Sequence, residues 1–248
     1  MTLFAQRRQK ATSASEDNPY WMSFSDIMAG LLVIFILACA VLLVQMLELK
    51  DRVQDNLEEL HKANEVRRDI LQDIQRQLKE KGIHVEISDN LSVLRIPDDQ
   101  LYFDTNSYDI QKIHENTVRD IGRILYDSIK DPERLKYLDT LFVEGHTDKR
   151  RSTRLIKGNW GLSAFRAISV WNFWTGQPDY GEALQSLRNK EGKPLFSVSG
   201  YAASRMVDPG DSEESQRCNR RIDIRFTTRQ PSIETYRGVL DILRKGAR

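Results

Sequence analysis

YWMSFSDIMAGLLVIFILACAVLLV, residues 20–44, decides the architecture of this chain. From residue 27 to residue 44 it is uninterruptedly apolar, and Met22, Phe24, Met46 and Leu47 extend the run on both sides. That matches the roughly 20 residues a membrane-spanning helix needs. No second run of this kind occurs in the 248 residues, so the reading is a single-pass protein. The run lies far from the first residue and lacks a small-residue cleavage pattern, which fits an uncleaved signal anchor retained in the mature chain. Arg7, Arg8 and Lys10 precede it, whereas Glu48, Lys50, Asp51 and Arg52 follow with mixed sign. The positive-inside rule then predicts a cytoplasmic tail at 1–19, an inner-membrane helix at 20–45, and everything beyond it outside that membrane.

Asp26 is the anomaly in the span. At about 1.5 Å rise per residue it lies roughly 8–9 Å inward of Tyr20 and Trp21, whose amphipathic rings suit the membrane interface. A carboxylate at that depth costs on the order of 2.5–3.5 kcal/mol when ionised and about 4 kcal/mol when kept protonated at pH 7. The two figures are close, so modest changes in surroundings exchange the two forms, as loading and releasing a proton or a sodium ion requires. The plainer alternative is an interfacial aspartate that snorkels or caps the helix start beside Ser23 and Ser25. Ala29 and Gly30, one turn on, favour close packing of a partner helix on this side.

Beyond the span, residues 46–82 are about half charged and free of proline, with glycine only at the last position. Leu49, Val53, Leu57, Leu60, Ile70, Leu71, Ile74 and Leu78 recur mostly at spacings of three or four. This predicts a helical linker whose thin apolar stripe suits a coiled-coil seam more than a globular core, interrupted by the polar stretch 61–69. Gly82 ends it. Cys39 and Cys218 fall on different sides of the membrane in this topology, so no internal disulfide is expected. Lys and Arg number 37 against 36 Asp and Glu, spread along the chain, which argues against a nucleic-acid partner.

Residues 83–229 read as one α/β unit, an α+β sandwich with a mixed sheet covered by helices on one face. Strands are predicted at 84–87 with 91–96, then at 140–144, 196–200 and 221–227, where β-branched and aromatic residues concentrate. Helices are predicted at 110–129, 162–175 and 213–218. A last amphipathic helix is predicted within the C-terminal segment 230–248.

Within this unit VEGHTDK at 143–149 is followed by NWGLSAFRA at 159–167, SGYAASRMVDP at 199–209 and CNRRIDIRF at 218–226. Four motifs in this order resemble the OmpA-like peptidoglycan-binding domain, whose signature runs GHTD, N..LS..RA, a glycine-to-proline loop, then NRR and an alternating strand. The resemblance implies that Asp148 and Arg166 clamp the diaminopimelate of a wall peptide, with Asn159 and Leu162 at the rim and Arg220 or Arg221 in support. The chemistry suits a zwitterion: a carboxylate for its ammonium, a guanidinium fork for its carboxylate. The plainer readings are a turn-capping aspartate and a surface-paired arginine. The loop between Asp148 and Arg166 is a few residues longer than the common form. His61, His84, His114 and His146 show no metal-ligand spacing, and neither a nucleotide loop nor a nucleophile elbow is present, so no metal, cofactor or enzymatic activity is expected.

A basic tail, one span with an early aspartate, a helical linker and an OmpA-like domain together resemble the B subunits of the MotB class of stators. That resemblance implies a homodimer inside a pentameric ring of multi-span A subunits, with Asp26 binding the transported ion. The DNPYWMSFSDIMAGLL block and the short linker are more similar to ZorB, the stator-like subunit of Zorya anti-phage systems, than to the methionine- and phenylalanine-rich spans of flagellar members. The implied partner ring is then ZorA-like. Flagellar torque and a static cell-wall tether remain the alternatives.

Overall fold

The computed structural model describes residues 19–88, 90–153, 155 and 157–230; the basic tail and the expected C-terminal helix lie outside the described residues. The first element, α1 (Pro19–Glu80), is continuous helix, and compact units divide at Asp55 and Asn56. In the first unit the apolar side chains are exposed all round: Leu31, Ile34, Phe35 and Leu37 each present more than half their surface. A helix apolar on every side is one whose solvent is lipid. It is also, among the described residues, the one helix long and apolar enough to cross a membrane.

The second unit is built on a five-stranded mixed sheet. Its strands are β1 (Glu86–Ser88), β2 (Val93–Pro97), β3 (Leu138–His146), β4 (Phe196–Gly200) and β5 (Arg221–Thr228), in the order β1-β2-β5-β3-β4. Only β3 and β4 run parallel. Between these two strands lies α4 (Gly158–Thr175), the crossover that a parallel pair requires. The helix α2 (Glu115–Ile129) packs beside it, and the Trp174 indole of α4 donates to the Val118 carbonyl of α2 at 2.7 Å. The short helices α3 (Pro132–Leu135) and α5 (Gly181–Ser186) have no counterpart in the sequence reading, because four to six residues show no helical period. Lastly α6 (Glu213–Asn219) starts at Ser212, whose hydroxyl accepts from the Ser215 N–H as an N-cap.

Alternation sorts the strands into two faces. Leu94 and Ile96 of β2, Leu141 and Val143 of β3, and Ile222, Ile224 and Phe226 of β5 face the helices and form the core. Ile70, Leu71, Ile74 and Leu78 of α1 belong to that core, each fully buried. This corrects the coiled-coil reading of the stripe over residues 70–78: its partner is the domain's own core. Further back on the helix Leu57 stays exposed. The polar stretch is no interruption either, because Ala63 is buried and the Arg67 guanidinium donates to the Leu91 carbonyl at 3.1 Å. Gly82, at φ 76°, takes the left-handed conformation after the helix while the Ile83 N–H donates back to the Leu78 carbonyl.

Candidate functional site

The GHTD motif occupies the end of β3 and the turn after it. Gly145 is there because α4 leaves no room for a side chain: a Cβ would lie 1.9 Å from the Ser163 carbonyl oxygen. His146, one residue on, points to the opposite face and is 1 % exposed, stacked on Tyr201 at 5.5 Å, with the Arg205 guanidinium 3.8 Å over the far ring. The turn is then tied by the Thr147 N–H to the Ala202 carbonyl at 3.0 Å. Asp148 emerges buried at the base of a cavity of about 230 Å³, a size suited to a group no larger than an amino acid.

That cavity brings together three of the four residues predicted for wall binding, Asp148, Leu162 and Arg166. Arg166 is 4 % exposed; its Nε and Nη2 donate to the carbonyls of Ser107 at 2.9 Å and Asp104 at 3.2 Å, and its guanidinium lies 5.1 Å from the Phe103 ring centre. Burial pushes its pKa down to about 10, against the pull of Asp98 and Asp148, so it remains cationic at neutral pH. Asn159 does not line the cavity. It sits under the long loop, where its amide N–H groups donate to the Asp148 and Arg150 carbonyls and its oxygen accepts from the Ser152 N–H at 2.7 Å. It fixes the loop that carries the aspartate.

Arg220 supports the site and Arg221 does not. Arg220 reaches Asp148 through Nη1 at 3.0 Å and Asp98 through Nη2 at 3.0 Å. Burial opposes its charge, yet the hydrogen bonds it donates to Asp98 and Asp148 hold its guanidinium above the ordinary value. Asp98 is shifted up as well, its carboxyl raised by burial in spite of Arg220. Arg221 alternates to the opposite sheet face and pairs with Asp223 at 3.0 Å. Sequence reasoning missed Arg150, whose Nε donates to Asp148 at 2.9 Å, along with Glu213 at the start of α6 and the buried hydroxyls of Thr147 and Ser152. The KRR run after the motif was the available signal for Arg150, but basic loop residues are usually solvated.

On that opposite face Glu144, His146 and Asp223 come close enough to share a cation. Guanidiniums already hold both carboxylates: Arg225 donates to Glu144, and Arg95 and Arg221 to Asp223. Burial and the charges of Arg221, Arg95, Arg205 and Arg225 press the imidazole down to about 2, although Asp223 and Glu144 oxygens lie 3.5 and 3.9 Å from Nε2. Both carboxylates are thus already paired with guanidiniums, and the cluster is held together by the protein's own charges.

Comparison with known proteins follows the geometry. Residues 102–220 match the family model for the OmpA family. The chain carries an OmpA-like domain. A putative MotB-like protein of Desulfovibrio vulgaris has the same fold, with a TM-score of 0.51 at 16% identity over 68% of this chain and 98% of that one. The periplasmic domain of Helicobacter pylori MotB aligns at 23% identity over 63% of this chain and 88% of its own, with a TM-score of 0.46. An uncharacterized Bacillus subtilis protein, YtxE, is 26% identical over 244 residues, 88% of this chain and 93% of its own length.

Asp26 belongs to the other unit and is taken by itself. It is exposed on the apolar part of α1 among Trp21, Ser23, Ser25 and Ala29, and among the described residues nothing hydrogen-bonds or pairs with its carboxylate.

Proposed function

We propose that this chain is the wall-anchored B-type subunit of an ion-driven, stator-like complex in the inner membrane. In this reading the OmpA-like domain grips the peptidoglycan peptide through Asp148 and Arg166, Asp26 carries the proton or sodium ion, and two copies stand inside a ring of multi-span partners. The observation that carries it is the pairing of a buried carboxylate and a buried guanidinium in one amino-acid-sized cavity. A zwitterion satisfies both charges at once, which neither a simple anion nor a simple cation does. The near full-length similarity to YtxE supports treating the span and the domain as one inherited unit.

The full chain in detergent should pellet with peptidoglycan sacculi, and Asp148→Asn or Arg166→Ala should not, since breaking a desolvated charge pair costs about 2–5 kcal/mol of binding. Retained binding in both variants would remove the wall-peptide site. For the ion, we place the complex in anti-phage defence on the DNPYWMSFSDIMAGLL block and the short linker. Phage plating on cells carrying the native gene cluster then decides: protection that vanishes in Asp26→Asn at matched membrane expression supports ion coupling in defence. Protection that persists makes the chain a static tether. No protection from the wild type, with motility restored in a non-motile host, would move the same machine to the flagellum.

A further inference from the structure

The carboxylate that Asp148 brings to the cavity is already paired with the protein's own cations, and they are not equivalent. Asp148 Oδ2 accepts from Arg220 Nη1 at 3.0 Å and from Arg150 Nε and Nη2 at 2.9 and 2.6 Å. Arg220 is 13 % exposed and is also bound to Asp98, so it is part of the wall. The Arg150 side chain is 59 % exposed, and its Nη1 already touches a second carboxylate, Glu213, at 3.2 Å. Glu213 stands at the rim with 64 % of its side chain exposed. One guanidinium therefore has two seats, one on the buried aspartate and one outside.

A second observation concerns what the cavity leaves unsatisfied. Thr147 and Ser152 are among its lining residues, both more than nine-tenths buried, and among the described residues neither hydroxyl oxygen has a hydrogen-bond partner. Buried hydroxyls cost free energy unless they are used, so they point to a polar group that is to arrive. The lining also carries four arginines, at 150, 151, 166 and 220, against two carboxylates, Asp148 and Glu213. What the site lacks is a carboxylate, and what blocks the seat for the accompanying ammonium is Arg150.

We propose that Arg150 is a displaceable occupant of the ammonium seat: it covers Asp148 in the free site and turns out to Glu213 when the ammonium of a zwitterionic ligand takes its place. The inference rests on the wall-peptide reading above and adds the residue that sets its affinity. As the guanidinium leaves, Asp148 exchanges one cation for another, and the ligand carboxylate comes within reach of Arg166. Affinity is then lower than the bare site would give by the strength of the Arg150–Asp148 pair, and Glu213 offsets part of that cost by holding Arg150 outside.

Calorimetric titration of the full chain in detergent with meso-diaminopimelate tests this. Arg150→Ala is expected to bind about fivefold more tightly, the ~1 kcal/mol ceiling of an exposed ion pair at 1.4 kcal/mol per tenfold. Glu213 also accepts from Arg220 Nη1 at 3.4 Å, so Glu213→Gln is expected to bind several-fold more weakly in the wild-type background and to have a smaller effect in the Arg150→Ala background, the difference being the coupling that a double-mutant cycle reads. Weaker or unchanged binding in Arg150→Ala, with binding abolished in Asp148→Asn, would overturn the displacement while leaving the site standing. Wild-type affinity in Asp148→Asn, or no binding by either the wild type or Arg150→Ala, would overturn the site and the displacement with it.

Discussion

The two faces of the sheet solve opposite problems with the same strands. Toward the helices, Leu94, Leu141, Val143, Ile222 and Ile224 shed water and gain free energy by burial alone. Toward the other side, Arg95, Glu144, His146, Arg221 and Asp223 are almost as deeply buried, yet every charge there must be matched by another. The first face tolerates many side chains of the right size; the second works only as a set. The two faces part company at Gly145 and His146, and Asp148 emerges just beyond them. The position of the Asp148 carboxylate is thus fixed from both sides, by the close approach of α4 to Gly145 and by the stack of Arg205 and Tyr201 on His146.

The largest effect comes from removing part of the apolar face that is not in the sheet at all. A fragment beginning at Ile83 loses Ile70, Leu71, Ile74 and Leu78, each fully buried. Truncating one such side chain costs about 2–5 kcal/mol, so losing four, about 8–20 kcal/mol, is as large as the roughly 5–15 kcal/mol stability of an ordinary domain. That fragment is expected to show no cooperative urea transition by circular dichroism, whereas one beginning at Asn56 unfolds in a single step. Cooperative unfolding of the shorter fragment would return the stripe at 70–78 to a linker role.

This region also shows what could be read from the chain and what could not. The five strands and the three longer helices of the domain announced themselves through β-branched runs and helical spacing, because those periods depend on local geometry. Leu71 and Leu78 were equally visible, but spacing says only that a stripe needs a partner; a second chain's helix and the domain's own core leave the same pattern. The charged face was hidden for a different reason. Glu144, Asp223 and Arg221 alternate with apolar residues just as solvent-facing positions do, and burial of the set follows from long-range pairings between β2, β3 and β5. Asp148 and Arg166 were legible through their motifs. Arg150 was not, since its partner is fixed by the conformation of a long loop.

A single substitution on the charged face should cost nearly as much as one in the core. Asp223 is 2 % exposed as a side chain and accepts from Arg95 Nε at 3.2 Å and Arg221 Nε at 3.0 Å. Asp223→Asn strands two guanidiniums in a desolvated layer, and breaking a buried pair in this way costs about 3–5 kcal/mol. The shift in urea midpoint at constant m-value measures it. A loss below 1 kcal/mol would mean that water reaches this face and that the two sides of the sheet are less different than their burial indicates.

The smallest effect isolates the histidine at the boundary. Its pKa in the folded protein is pushed down to about 2, first by burial and then by Arg221, Arg95, Arg205 and Arg225, from an ordinary value of 6.5. The unfolded chain therefore takes up a proton below pH 6.5 that the folded chain refuses until about pH 2, and stability falls as pH drops through that window. At 1.36 kcal/mol per pH unit, moving from pH 6.5 to 4.5 removes about 2 kcal/mol through this residue. Glu144 and Asp223, whose oxygens lie nearest its Nε2, are retained in His146→Asn, so the comparison isolates the imidazole. The wild type should lose about 2 kcal/mol more than His146→Asn between those two pH values, read as the difference in urea unfolding free energies. Equal losses would show that the imidazole gains a proton with the fold intact, and that the carboxylates on this face outweigh the four arginines around it.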